Sequence, residues 1–474
     1  MCLCDLLTHP ATHHGLHALE NVDLFCLFEQ LWSSLWSQCI RKAVLARRAP
    51  SSRQHSTHAK PIHRPQIWRK RQGLEWCPSE PQGMQVNGAH LTMVEVKPNP
   101  KPLFPTDLTL AYGRGAAVKL VRYIEHAGSD AVGSNKSILR LKAMEQSMEL
   151  MHGQDFTCLV AAGIVPALNE TATKDAQEKN RVAALVALCR LARERTGRES
   201  MLESDSCAAL CGACTDSVAA VRKECLATIG HFANYDEGRK ALVENKFVEL
   251  LLVHCRGPPD GGPPEPEMQG LALTALGRIC QGEGGRVEAI RANAVPTVLE
   301  MLHAESVETQ YQAAMALSLL TFDQAEKAEC LGGGVMRKLA IMLRSDKVQD
   351  EMERRRLRTA AAALLMSMCN GTRNESLPPP HAACKAEAIE KGICQSLVSI
   401  VAEVVLLHMA GELDDRNSEL GVYAAKSMTE LADSPKGRKL LKAALGDLKV
   451  LAGSQVPTLC KNVQIAIERI EFVP

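Results

Sequence analysis

The chain has 474 residues, 46% of them hydrophobic but only 4% aromatic, and a formal net charge of +1. Residues 1–92 hold ten Lys/Arg against six Asp/Glu, and the remainder 45 against 48, so neither part carries the basic excess of a nucleic-acid binder. No apolar run is long enough to cross a bilayer. Without a secretory signal the eighteen cysteines are expected as free thiols in a reducing, cytoplasmic setting.

The first 92 residues differ in composition from the rest. All four tryptophans, Trp32, Trp36, Trp68 and Trp76, lie there, and no acidic residue occurs between Gln30 and Leu74 while basic residues and serines are frequent. That composition is similar to an organellar transit peptide. The order is wrong, however, because Asp5, Glu20, Asp23 and Glu29 precede the first Lys or Arg. A disordered tail, or an upstream translated segment ahead of a natural start at Met93, is the expectation for 1–92. The proline-rich residues 93–105, including KPNPKPLFP, read as an extended linker.

From residue 106 to 474 the sequence repeats. VAALVALCRLA, ending at Ala192, returns as ECLATIGHFA, LALTALGRIC, QAAMALSLLT, AAAALLMSMC and AKSMTELA. The first apolar position of each copy falls at Met148, Leu188, Ile229, Leu276, Leu317, Leu365, Met428 and Ile467. A period near 40 is that of armadillo or HEAT units, and Ala-rich, aromatic-poor helices suit close helix packing. About eight helical repeats are expected, stacked in an all-α right-handed superhelix. Three loops lengthen the period: Gly257 to Gly270, Asn370 to Pro380 and Gly411 to Glu419. The helix before each small-apolar one tends to open with Gly or Asn, as in GIVPAL, NAVPTVL, GGVMRKL and GICQSL. LVSIVAEVVLLHMA, from Leu397, is interrupted by Glu403 and His408 and is expected as a buried repeat helix.

Little here points to chemistry. Cys207, Cys211 and Cys214 form CxxxCxxC, but i, i+4, i+7 spacing is one helix face and no second pair completes a zinc site. GEGGR and LGGGV sit at helix joints and lack the GK[ST] ending of a P-loop. ERRRLR, Glu353 to Arg358, reads as a solvated face. No catalytic residue, metal or cofactor is expected. A HEAT-like lyase using a cysteine would need one exposed thiol of low pKa, and no residue stands out for it.

On these repeats the chain resembles armadillo proteins. Peptide-carrying armadillo families keep a Trp and an Asn on many third helices; here the Trp positions hold Val186, Ala227, Thr274, Met315, Ala363 and Lys426, which speaks against ladder-type peptide recognition. The Asn positions hold Arg190, His231, Arg278, Leu319, Ser367 and Glu430, and this row is the candidate partner contact on the concave surface. From about Asn293 to Ala452 the chain is similar to the UCS family of myosin-directed co-chaperones. The stretch around Leu320, Thr321, Phe322 and Asp323 matches AxGLxxLTFDxxxK with Ala316 for Gly, and the polar insertion after Cys369 and Asn370 follows in the same order. That resemblance implies binding of the myosin motor domain, with a heat-shock chaperone of the 90-kDa class. No tetratricopeptide pattern precedes the array. The alternative is a generic cytoskeletal or ciliary armadillo scaffold.

Overall fold

The computed structural model describes residues 114–126, 134–257, 265–346, 348–371, 380–414 and 418–472. The expected tail at 1–92 and linker at 93–105 lie outside them. The described residues all fall within one compact unit, Lys97–Pro474, and form helices with no strand among them.

The array opens on two helices, α1 (Arg114–His126) and α2 (Ser134–Glu149). Three-helix units follow: α3 (Gly153–Ala161), α4 (Ile164–Lys174) and α5 (Glu178–Leu191); α6 (Arg195–Glu203), α7 (Ser206–Cys214) and α8 (Ala219–Phe232). Next come α9 (Asp236–Glu244), α10 (Phe247–Arg256) and α11 (Pro266–Cys280); α12 (Glu283–Arg291), α13 (Ala294–Met301) and α14 (Val307–Leu320). The last three are α15 (Gln324–Gly332), α16 (Val335–Arg344) and α17 (Glu351–Cys369); α18 (Pro380–Glu390), α19 (Ile393–Met409) and α20 (Glu419–Leu431); and α21 (Pro435–Leu441), α22 (Leu445–Leu451) and α23 (Pro457–Glu471). A short first helix followed by two packed longer ones is the armadillo unit. The eight third helices, from α2 to α23, each pack against the next.

The expected register holds. Leu188, Ile229, Leu276, Leu317, Leu365 and Met428 are fully buried, Ile467 nearly so and Met148 partly. Each fully buried Leu contributes about 1.5–3 kcal/mol relative to exposure. Hydroxyls stitch neighbouring third helices: Thr228 Oγ1 donates to Leu185 O at 3.1 Å, Thr309 Oγ1 to Pro266 O at 3.3 Å and Ser427 Oγ to Ala362 O at 2.9 Å.

The joint between first and second helices turns through a left-handed residue. It is Gly163, Asp205, Lys246, Asn293, Gly334 and Gly392 in six units, with φ between 50° and 89°. This explains the Gly/Asn openings, since those residues tolerate positive φ best. In GGVMRKL the special position is Gly334, one residue after the Gly333 that opens the motif.

The GEGGR motif is more than a turn. Gly285 lies in the first turn of α12, where an added Cβ would stand 2.1 Å from Ile279 O. Gly197, Gly238 and Gly437 make the same approach to the ends of α5, α8 and α20. The arginine after each glycine donates to the last carbonyls of the preceding third helix: Arg198 to Ala192 O and Arg193 O, Arg239 to Ala233 O, Arg286 to Cys280 O and Arg438 to Ala432 O. These carbonyls have no partner within the helix. Close approach and capping therefore fix the sharp turn from one unit to the next.

Three readings need correction. The proline loop ends earlier than Gly270, because Pro266 occupies the first turn of α11, where its missing N–H is not needed. ERRRLR is not simply solvated. Arg358 donates to Glu403 at 2.7 Å and to Arg344 O, Arg356 pairs with Glu308 at 3.0 Å, and Leu357 is buried. The run from Leu397 is buried on one face only, leaving Leu406 and Met409 exposed at the end of α19. Among the described residues no single helix is long and apolar enough to cross a membrane.

Candidate protein-binding face

The candidate row occupies equivalent places on α5, α8, α11, α14, α17 and α20, near the end of each third helix. Its members differ sharply in what they touch. Arg190 is exposed, and its Nη1 donates to Met148 O of the preceding unit at 3.0 Å. His231 is half-buried and accepts from Arg193 Nη2 at 3.4 Å. Burial holds its imidazole below the usual histidine range, and the Arg193 and Arg278 charges push the same way. Arg278 is also half-buried, and burial lowers its pKa.

The other half of the row is committed to the array. Leu319 packs against the core. Ser367 Oγ donates to Thr321 O at 3.2 Å. Glu430 lies 3.3 Å from Lys385 Nζ, which also contacts Asp433 at 2.7 Å. Burial raises the Glu430 pKa, with Lys385 opposing it. Ser367 and Glu430 thus have work inside the molecule that spacing alone does not reveal.

Two units that lack the Gly-Arg pair account for the commitment of Glu430. Glu326-Lys327 and Cys384-Lys385 stand in the equivalent places, and both lysines are buried. Lys327 Nζ donates to Asn370 O, just past the third helix of its own unit, at 2.5 Å, and Lys385 reaches Glu430 and Asp433 at the end of α20 in its own unit. Reading the short first helices for the repeated Gly-Arg would have exposed these substitutions.

The cysteine face is also revised. Cys207 and Cys214 of α7 are buried, but Cys211 between them is exposed. Cys214 Sγ lies 3.2 Å from Cys225 Sγ of α8. A hydrogen bond with Cys225 and another with His254 hold Cys214 at about 7 against its burial, whereas burial first, with Cys214 beside it, pushes Cys225 well up. Burial likewise raises Cys255 and Cys280 to about 12. Among the described residues the thiol with the lowered pKa, Cys214, is buried, an arrangement unlike that of a reactive nucleophile. No group of three or more His, Cys, Asp or Glu able to hold a metal occurs among the described residues.

What remains is a face of successive third helices, open and basic at α5, α8 and α11. The chain is an armadillo-repeat solenoid. It superposes on the crystal structure of an engineered protein with a TM-score of 0.58, at 20% identity, over 76% of this chain and 79% of that one. A designed armadillo repeat protein aligns with a TM-score of 0.43 and 18% identity, over 52% of this chain and 99% of that one. No protein-family profile matches. In sequence the chain is 27% identical to radial spoke protein 14 of Chlamydomonas reinhardtii over 263 residues, 53% of this chain. The match covers 65% of that relative, under two thirds of its length.

Proposed function

We propose that the array is a non-catalytic scaffold that holds protein partners in a ciliary assembly, working in the cytoplasmic compartment. The observation that carries this reading is the similarity to a protein named for the radial spoke. The repeat geometry supports it, since a stack of third helices offers an extended surface on which several weak contacts add. The second reading is a UCS-like co-chaperone that binds the myosin motor domain together with a heat-shock chaperone of the 90-kDa class. It is favoured by the Leu320–Asp323 stretch, where Phe322 is 69% exposed beneath the Arg286 guanidinium, 5.7 Å from the ring centroid.

One pair of measurements separates the two. The purified chain is sedimented with isolated axonemes that lack radial spokes, and its suppression of heat aggregation is compared for a myosin motor domain and for citrate synthase. The scaffold reading expects saturable cosedimentation and no preference between the two clients. Selective protection of the motor domain without cosedimentation would replace it with the co-chaperone.

A further inference from the structure

Among the described residues, the basic part of the third-helix face has no internal counter-charge. Elsewhere part-buried arginines either pair with a carboxylate, as Arg140 does with Asp175, Arg181 with Asp216 at 2.8 Å and Arg358 with Glu403 at 2.7 Å, or cap backbone carbonyls, as Arg198, Arg286 and Arg438 do. Among the described residues, Arg190, Arg193 and Arg278 have no carboxylate within ion-pair distance, and Arg278 makes no hydrogen bond. Glu224 acts on the nearby Cys189 thiol in the opposite direction to Arg193, yet it does not come within pairing distance of these guanidinium groups. Three of the four side chains, Arg193, His231 and Arg278, are also drawn together. Arg193 meets His231 at 3.4 Å, and a methyl on Gly230 would stand 3.3 Å from Arg278 Nη1, so Arg278 folds back over Gly230 toward α8.

A half-buried guanidinium without a partner costs free energy that a ligand carboxylate would offset. Arginine accepts such a group through two parallel N–H bonds. Neighbouring packed helices lie about 8–10 Å apart, which three residues of extended peptide span at about 3.3 Å each. The N-terminal segment, with ten basic residues against six acidic, has the wrong charge to cover the site.

We propose that the face of α5, α8 and α11 around Arg190, Arg193, His231 and Arg278 binds an extended acidic segment of a protein partner, with carboxylates about three residues apart. The proposal rests on the scaffold reading and gives it a ligand chemistry.

The test is fluorescence anisotropy of the full chain with a labelled twelve-residue peptide carrying Glu at every third position. Its counterparts carry Gln or phosphoserine at those positions. The Glu peptide is expected to bind and the Gln peptide not to bind. Arg190→Gln with Arg278→Gln should weaken binding about tenfold or more, the scale of a lost charge-assisted hydrogen bond. Arg193→Gln, at an exposed position, should weaken it too even where the double variant fails to fold, and Lys461→Gln on α23 should leave it unchanged. Equal binding of Glu and Gln peptides, binding of the phosphoserine peptide alone, displacement by polyuridylate at equal strength, or equal loss with Lys461→Gln would each overturn the proposal. If the chain cosediments with axonemes but ignores the Glu peptide, the scaffold reading stands and this ligand chemistry falls. Peptide binding without cosedimentation supports the site and removes the ciliary setting.

Discussion

Alanine at Gly285 and alanine at Gly284 should change stability in opposite directions. Inside a helix, Gly→Ala ordinarily stabilises by about 0.8–1 kcal/mol, because Ala loses less backbone entropy. Gly284 has open space where a Cβ would go, so that gain should be realised. At Gly285 the new methyl would lie 2.1 Å from Ile279 O and 2.6 Å from Ile279 C. Both are backbone atoms at the end of α11 and cannot rotate aside, so α12 must move. Overpacking of this kind costs about 1–3 kcal/mol, which outweighs the propensity gain and, because both neighbours share that gain, leaves them separated by about 1–3 kcal/mol. Urea denaturation followed by circular dichroism gives the difference, and hydrogen exchange in α11 and α12 locates it, since repeat arrays need not unfold as one unit. Gly285→Ala as stable as Gly284→Ala would refute the close approach as the determinant of the turn.

Leu276→Ala or Leu317→Ala should cost about 2–5 kcal/mol through lost burial and a residual cavity. Glu265→Ala should stay within about 0.5 kcal/mol by the same urea assay, because Glu265 is exposed and only 3.9 Å from Arg222 as an ion pair. Glu430 has its folded-state pKa raised by burial, so its ionised form opposes folding. Wild type should gain stability relative to Glu430→Gln as pH falls through the raised pKa toward the ordinary carboxylate value. A difference between these two proteins that does not vary with pH would contradict that placement. Among the cysteines of the described residues, Cys211 should react first with a maleimide in the native protein, while the buried Cys225, Cys255, Cys280 and Cys369 should wait for unfolding. Peptide mapping of the labelled cysteines reads this order.

The third helices were legible because their task is simple. Ala, Leu and Ile at the packed positions of α5, α8, α11 and α14 bury against both neighbours, and that requirement repeats with the unit. The second helices were half legible. Their Gly or Asn openings mark the left-handed joint, but Asp205 and Lys246 occupy that conformation without advertising it. The first helices were missed as elements, because α6, α9 and α12 are nine residues long and bury only two residues each. Their decisive signal is one glycine and one arginine, which reads as a turn unless the close backbone approach is known. The same gap hid the roles of Lys327 and Lys385, and hence why Glu430 is held inside the array. The six-membered row was found by register alone. Register locates positions on a helix but does not tell a paired carboxylate from an unpaired guanidinium, so the division into an open basic half and a committed half required the side-chain partners.

The central claim is that partners are held by the third-helix face. A photocrosslinking residue placed in turn at Val186, Ala227 and Thr274 on third helices, and at Val253 and Ile341 on second helices, tests it with the chain bound to axonemes. The predicted result is a discrete crosslinked axonemal protein from the third-helix positions and none from Val253 or Ile341. Crosslinks from the second-helix positions alone would contradict it.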